Sequence, residues 1–279
     1  AIMHDELVER RGWISESRFL HALAFCFALP GPEAQQLATY VGWRLHGLRG
    51  ALTAGSLFVL PSFVVLCALS FVYVEYGDVP EVAGMVRGLG GAVVGLVTAA
   101  VIRVGSRVAR TPVTMALAAA AFAALMVGVP FPLILVGAAL GAMAIQRSTP
   151  GSFPGLGHGD DIAVEPASDR VTTSARRTVG ILTAWIVPVI ALIVAGGVIA
   201  ELAGFFSVAA LVTFGGAYAV LPFVADQAVN NFGWLTSKDM VAGLALGETT
   251  PGPLIMVNTF VGYLAGWTTH HSHAWALAG

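Results

Sequence analysis

Charged residues are scarce in this sequence, and their scarcity excludes most kinds of soluble protein. Only 11% of the 279 residues are Asp, Glu, Lys or Arg, while 57% are hydrophobic. Soluble domains average about 25% charged and about 45–50% apolar residues. The net charge of −2 leaves no basic excess of the kind that binds nucleic acid. The composition therefore predicts a chain whose surroundings are the lipid bilayer.

Cysteine is also rare, and no reactive cluster stands out. Cys26 and Cys67 lie in apolar segments and are predicted to be small buried hydrophobic residues. The apolar segments hold no nucleophile–base pair and no metal-ligand spacing, so we expect no enzyme activity and no cofactor. His270, His271 and His273 form a short tract, which we do not predict to bind a metal.

Long apolar runs are what the sequence has in abundance. The runs 51–73, which contains Pro61 as a predicted kink, and 179–200 can each cross a hydrocarbon core of about 30 Å as a helix. Further apolar segments cover 18–29, 33–45, 82–102, 112–127, 131–145, 205–223, 238–246 and 254–267. This pattern predicts an all-α, polytopic helical membrane protein.

Basic residues predict the sidedness of the turns. The turns 44–50 and 103–111 and the polar linker 147–177 are rich in arginine, whereas the turn 75–81 is acidic. Because cytoplasmic loops carry an excess of Lys and Arg, we place the basic turns inside. We expect a multi-pass protein of the cell (inner) membrane.

Two motifs recur at one spacing. Gly12-Trp13-Ile14-Ser15 resembles Gly233-Trp234-Leu235-Thr236, and Pro30-Gly31-Pro32 matches Pro251-Gly252-Pro253, both 221 positions later. This internal repeat predicts a first transporter repeat over 1–146, the linker over 147–177, and a second repeat over 178–279. The same offset places the counterpart of Phe214-Gly215-Gly216 before Ala1, so we expect both repeats to be truncated.

The number of spans between the two Pro-Gly-Pro motifs predicts their relative orientation. Five spans are predicted between them, and an odd number of crossings turns the second copy upside down. Inverted repeats with broken, re-entrant helices are found in many secondary transporters.

These motifs resemble those of a known family. The stretch 29–43 resembles the first signature of the chromate ion transporter family. Thr213-Phe214-Gly215-Gly216-Ala217-Tyr218 and Gly247-Glu248-Thr249-Thr250-Pro251-Gly252-Pro253-Leu254 resemble the signature of its second half. The resemblance, which covers nearly the whole chain apart from the linker, implies a membrane protein that exports chromate by means of an ion gradient and confers resistance to it.

The sequence departs from the family at one position. Family members commonly carry a lysine after Gly-Leu in the third apolar segment, where this sequence has Gly90 after Gly88-Leu89. Arg87 stands three residues earlier, on the same helical face, and is predicted to supply the cation instead. A structural ion pair or an interfacial position is the alternative for this arginine.

The broken helices suit a small oxyanion. Each break exposes backbone N–H groups, and the half-helix that follows directs its positive dipole end at the gap. Pro32 and Pro253 suit the first helical position, Gly31 and Gly252 allow close approach, and threonine and glutamine side chains add donors. The candidate substrate-binding residues are Pro30, Gly31, Pro32, Gln35, Gln36, Arg87, Phe214, Gly215, Gly216, Thr249, Thr250, Pro251, Gly252 and Pro253.

Several roles stay open on the sequence alone. Glu33 and Glu248 are candidate proton carriers, or else they cap the neighbouring half-helices. Gly215 and Gly216 either face the substrate or only allow close helix packing. The substrate is chromate, or else sulfate or another tetrahedral oxyanion, and an anion channel and a membrane-embedded enzyme are the lesser alternatives. Homo-oligomerisation also stays open.

Overall fold

The computed structural model describes residues 2–108, 111–149, 175–214 and 217–279. Most of the predicted linker, 150–174, together with 109–110, Gly215 and Gly216, lies outside them. The chain divides into two compact units, Ala1–Val93 with Ala175–Gly279 and, separately, Val94–Ser174. This division by compactness does not address the repeat boundaries, which remain a prediction.

All regular secondary structure in the described ranges is helical. The helices are α1 Ile2–His4, α2 Glu16–Ala28, α3 Glu33–Tyr76, α4 Pro80–Val108, α5 Pro112–Met126, α6 Phe131–Ser148, α7 Ala175–Ala195, α8 Gly197–Val212, α9 Ala217–Asp226, α10 Ser237–Thr249, α11 Val257–His270 and α12 His273–Ala278. π-Helical segments cover Asp5–Arg10 and Gln227–Asn231, and a 3-10 turn covers Leu254–Met256.

Four helices are long and apolar enough to cross a membrane. They are Glu33–Tyr76, Pro80–Ala99, Phe131–Ser148 and Thr178–Ala195. Helices Pro112–Met126 and Gly197–Val212 are apolar but shorter. The prediction of an all-α polytopic membrane protein is confirmed.

The span predicted over 179–200 is present but shorter: the candidate span covers Thr178–Ala195, and the rest of the run belongs to another helix. Helix α7 ends at Ala195 and α8 begins at Gly197. Gly196 and Gly197 have φ values of +77° and +66°, a region that glycine enters easily and that interrupts a right-handed helix. The count of five spans omitted α8 as a separate helix, and the inversion of the second repeat stays a prediction.

Helix α3 consists of two arms that fold back on each other. Its backbone leaves the helical region only at His46 and at Gly47, whose φ is +59°. The first arm (33–45) and the second arm (48–76) approach so closely that a Cβ on Gly42 would lie 2.7 Å from the Cβ of Ala54. One buried stripe runs along the second arm through Ala51, Gly55, Ser62, Leu66 and Ser70.

The two repeat copies share their local geometry at the offset of 221. Helix α2, Glu16–Ala28, and helix α10, Ser237–Thr249, begin and end at equivalent positions. The glycines before them, Gly12 and Gly233, have φ values of +59° and +64°. The same sequence pattern therefore folds the same way twice.

The copies differ in how the short helix begins. The Thr236 hydroxyl accepts a hydrogen bond from the Asp239 N–H (3.2 Å), and the Asp239 carboxylate accepts one from the Thr236 N–H (2.9 Å). Its counterpart Ser15 makes no such side-chain bond. The residue three positions after Ser15 is Arg18, whose side chain has no acceptor to complete the reciprocal cap.

Asp239 also joins α10 to the second arm of α3. Its carboxylate accepts a 2.6 Å hydrogen bond from the Tyr73 hydroxyl. Burial raises the pKa of this carboxyl, but hydrogen bonds from Thr236 and Tyr73 outweigh burial and keep its pKa below the ordinary value.

The close contact between the arms of α3 predicts a sharp cost for Gly42→Ala. We expect the added methyl group to force the arms apart and to destabilise the protein by about 1–3 kcal/mol. Gly91→Ala is the control, because a Cβ at Gly91 in α4 meets nothing within 4 Å. Thermal unfolding in detergent should separate the two variants, and equal melting temperatures would contradict the packing.

The difference in capping predicts unequal effects of two equivalent substitutions. Thr236→Ala removes a reciprocal cap and should cost about 1 kcal/mol, the usual value for losing an N-cap side chain. Ser15→Ala, at the matching position of the first copy, should cost much less, because Ser15 makes no side-chain cap bond. Equal losses of stability in the same unfolding assay would show that the two helix starts are equivalent.

Candidate functional site

The first break lies between α2 and α3. Gly31 has a φ of +120°, and Pro32 is the extended residue that precedes Glu33 at the helix start. The Gly31 N–H donates to the carbonyl of Thr213 (2.7 Å), a residue of the second half. The Gln36 side-chain amide donates to the Pro30 carbonyl (2.6 Å). The break is therefore held from both sides, and the Gln36 amide proton is used within the protein.

The second break lies between α10 and α11. Gly252 has a φ of +127°, and Pro253 precedes the 3-10 turn Leu254–Met256. Pro32 and Pro253 thus occupy the N-cap position, one residue before the expected first helical position. The ring fixes φ near the value that both positions require, which explains why proline fits either one.

The two threonines of the second break bond to their own helix. The Thr249 hydroxyl donates to the Leu246 carbonyl (3.0 Å), and the Thr250 hydroxyl donates to the Gly247 carbonyl (2.9 Å). Both protons expected to serve a ligand are used at the end of α10, where carbonyls lack helical partners. The turn that follows Pro253 begins a helix, where the first backbone N–H groups have no intrahelical partner.

The second break packs on the second arm of α3. A Cβ on Gly252 would lie 2.8 Å from the Cβ of Ser62, 3.1 Å from its hydroxyl oxygen and 3.7 Å from the Phe58 carbonyl oxygen. Glycine is needed at 252 on two counts, the positive φ and this close approach.

The same face of the second arm receives residues next to the first break. A Cβ on Gly55 would lie 2.8 Å from the Thr39 hydroxyl and 3.9 Å from the Gln35 side-chain nitrogen. Gly55 and Ser62 are seven residues apart, which is about two helical turns or about 10 Å on one face. One face of the second arm thus contacts the second break directly and, two turns away, contacts Gln35 and Thr39 of the helix that follows the first break.

Glu248 and Glu33 lie beside the second and first breaks. The Glu248 carboxylate accepts a 2.6 Å hydrogen bond from the Tyr218 hydroxyl, which links the end of α10 to the start of α9. Glu33 lies in the first turn of α3. Phe214 is exposed next to Thr213, while Gly215 and Gly216 fall outside the described residues.

Arg87 is not brought to the breaks. It is exposed on α4, its Nε donates to the Ala83 carbonyl (3.0 Å), and it lines a cavity of about 440 Å³. The other charged residues of this cavity are Asp78, Lys238 and Asp239. Asp239 is ten residues before Thr249 on α10, about 15 Å along the helix. The cavity therefore opens near the start of α10, whereas the second break follows its end.

The position of the missing family lysine is a packing position here. A Cβ on Gly90 would lie 3.3 Å from a methyl carbon of Val241 on α10. This close approach of α4 to α10 accounts for a small residue at 90 and leaves Arg87 one turn nearer the cavity.

The C-terminal histidines pack against other side chains. His270 stacks on Trp275 with ring centroids 4.2 Å apart, and the His273 ring lies 3.4 Å from a Glu75 carboxylate oxygen. Within the described residues, no group of three His, Cys, Asp or Glu side chains is placed to hold a metal.

Sequence reasoning missed three residues at the breaks. Thr213 and Tyr218 stand at the two ends of the quoted Thr213–Tyr218 motif, so a signal for both was present. Ser62 had only a weak signal, a single hydroxyl beside Pro61 in an apolar run.

Comparison with known proteins identifies a family whose matched region contains both motifs. The family model described as chromate transporter matches residues 1–144 and 200–277, which include both Pro-Gly-Pro motifs. The chromate transport protein of Pseudomonas aeruginosa is 34% identical over 271 residues, covering 95% of this chain and 61% of the relative. The probable chromate transport protein of Synechococcus elongatus is 29% identical over 272 residues, covering 94% and 63%.

A third relative matches over a similar share of its length. The chromate transport protein of Cupriavidus metallidurans is 28% identical over 265 residues, covering 94% of this chain and 61% of the relative. The chain thus spans about three fifths of the length of these curated relatives, and no solved structure matches it. With the family model matching most of its length, this chain belongs to the chromate transporter family.

Proposed function

We propose that the whole protein is a secondary active transporter that exports chromate from the cytoplasm across the inner membrane and thereby confers chromate resistance. Membership of the family and the names of the relatives support the substrate. One structural observation supports the site: the second break and the helix that follows the first break contact the same face of the second arm of α3.

The chemistry of the breaks fits a tetrahedral dianion. The first N–H groups of a helix have no intrahelical partner, and the helix dipole adds positive potential there without a permanent charge. Two such starts surround an anion with donors but do not hold it as tightly as a buried cation would. Release on the far side therefore remains fast enough for transport.

Arg87 is proposed to act before binding. Arg87 and Lys238 offer an approaching anion two cationic side chains within the cavity. Asp78 and Asp239 in the same cavity limit how tightly an anion is held there.

The membrane potential favours export. Moving one charge through 100 mV is worth about 2.3 kcal/mol, so two negative charges moving outward gain about 4.6 kcal/mol. A coupled proton then fixes direction and stoichiometry, and Glu33 and Glu248 are the candidate carriers. The inverted repeats are proposed to rock about the breaks and to expose them alternately to each side.

Sulfate is the main competing substrate, because its shape and charge match those of chromate. Nothing in the breaks favours one over the other. An uncoupled anion channel is the alternative mechanism, and rapid flux without an ion gradient would identify it.

The transport proposal predicts that Gly31→Ala abolishes uptake of labelled chromate into inside-out vesicles that contain the whole protein. A φ of +120° is strained for alanine, so the break should lose its geometry and the rate should fall at least tenfold. Gly88→Ala, where a Cβ meets nothing within 4 Å, is the control. Excess sulfate in the same vesicles measures the competition.

Two results of this assay would contradict the proposal. Absence of chromate uptake by the unaltered whole protein would show that chromate is not its substrate. Full activity of Gly31→Ala would show that the first break is not part of the binding site.

The proton proposal predicts a selective effect of Glu248→Gln. The amide keeps an acceptor for the Tyr218 hydroxyl but cannot release a proton, so accumulation driven by a pH gradient should fall at least tenfold while chromate exchange persists. Glu201→Gln is the matched control, because that carboxylate also accepts one bond from an aromatic residue, the Trp234 indole N–H (3.3 Å). Equal accumulation in both variants would exclude Glu248 as the carrier.

A further inference from the structure

Ser62 carries a buried hydroxyl that is left without a hydrogen bond in the part of the chain that the structure describes. The residue is 0% exposed, and its Oγ has no hydrogen-bond partner among the residues that the structure describes. Three other hydroxyls on α3 behave differently. Thr39, Thr53 and Ser70 each donate to the carbonyl four residues earlier, at 2.7–2.8 Å.

This difference is not a matter of helix position. Ser62 also stands four residues after a carbonyl, that of Phe58, and the common bond is not formed. A buried hydroxyl without a partner is costly in apolar surroundings, and alanine would fill the same space without that cost. The hydroxyl is therefore free to bond to something that this conformation does not contain.

The position of Ser62 indicates what that partner is. Its Oγ faces Gly252, the residue at the centre of the second break, at 3.1 Å from an ideal Cβ on that glycine. Gly252 and Pro253 lead directly into the 3-10 turn Leu254–Met256, and the first N–H groups of a helix start have no intrahelical partner. A hydroxyl that faces this break, together with those N–H groups, forms a donor set for an oxyanion.

We infer that Ser62 is a direct ligand of the transported oxyanion and that Gly252 covers it in this conformation. This inference rests on the proposed function. When the second break moves away from the second arm of α3, the hydroxyl is uncovered and donates to an anion oxygen beside the N–H groups of the break. The site would then contain a side chain from the first half of the chain, Ser62, and backbone N–H groups from the second half.

The experiment compares Ser62→Ala with Ser70→Ala in the whole protein. Both serines are 0% exposed on the same stripe of the same helix, but only Ser70 has a bonded hydroxyl. Equilibrium binding of labelled chromate in detergent should show about a ten- to hundredfold rise in Kd for Ser62→Ala, the effect of losing one hydrogen bond to a charged group. Ser70→Ala should bind like the unaltered protein.

Thermal unfolding provides the readout that a merely structural role would not reproduce. Ser62→Ala should melt at the same temperature as the unaltered protein or higher, because it removes an unpaired polar group. Ser70→Ala should melt lower. Weaker binding together with undiminished stability is the expected signature of a ligand.

The failures of the two proposals are distinguishable. If the unaltered protein binds and transports no chromate, the proposed function fails. If it does both and Ser62→Ala has the same Kd, the proposed function stands and the assignment of Ser62 is wrong.

Discussion

Backbone polar groups at a helix break cannot stay unpaired in a bilayer, and this constraint shapes the protein around its two Pro-Gly-Pro motifs. Hydrocarbon offers no hydrogen bonds, so irregular backbone at membrane depth has to be covered by protein or line a polar cavity. The first break is covered by the second half, through the bond from the Gly31 N–H to the Thr213 carbonyl. The second break is covered by the first half, through the second arm of α3. Each half of the chain therefore covers the helix break of the other half.

The second arm of α3 provides the surface on which these contacts between the two halves are made. Gly55 packs against Thr39 and Gln35, and Ser62 packs against Gly252. Gly55 and Ser62 lie about two turns apart on one face of the arm. Small residues at these points allow helix and break to approach closely, as glycine and serine do at helix interfaces in membranes. A shift of this arm would therefore change the surroundings of the second break and of the helix that follows the first break.

Much of this fold can be predicted from the sequence, and the predictions that failed did so for physical reasons. Long apolar runs predicted the spans, because a bilayer demands about 20 apolar residues per crossing. Pro-Gly-Pro predicted both breaks, since proline and glycine act on the local backbone. The interruption at Gly196 and Gly197 was missed, because glycine does not lower the hydropathy of a run and only φ reveals it. The places of Arg87 and Ser62 depend on which helices pack together, which no local spacing encodes.

The central claim is that the anion binds between the two breaks and not in the charged cavity beside Arg87. Chromium scatters X-rays anomalously, so crystals of the whole protein grown with chromate would locate the ion directly. The account predicts an anomalous peak within hydrogen-bond distance of the helix starts at Glu33 and Leu254 and of the Ser62 hydroxyl. A peak beside Arg87 and Lys238, with none at the breaks, would contradict it.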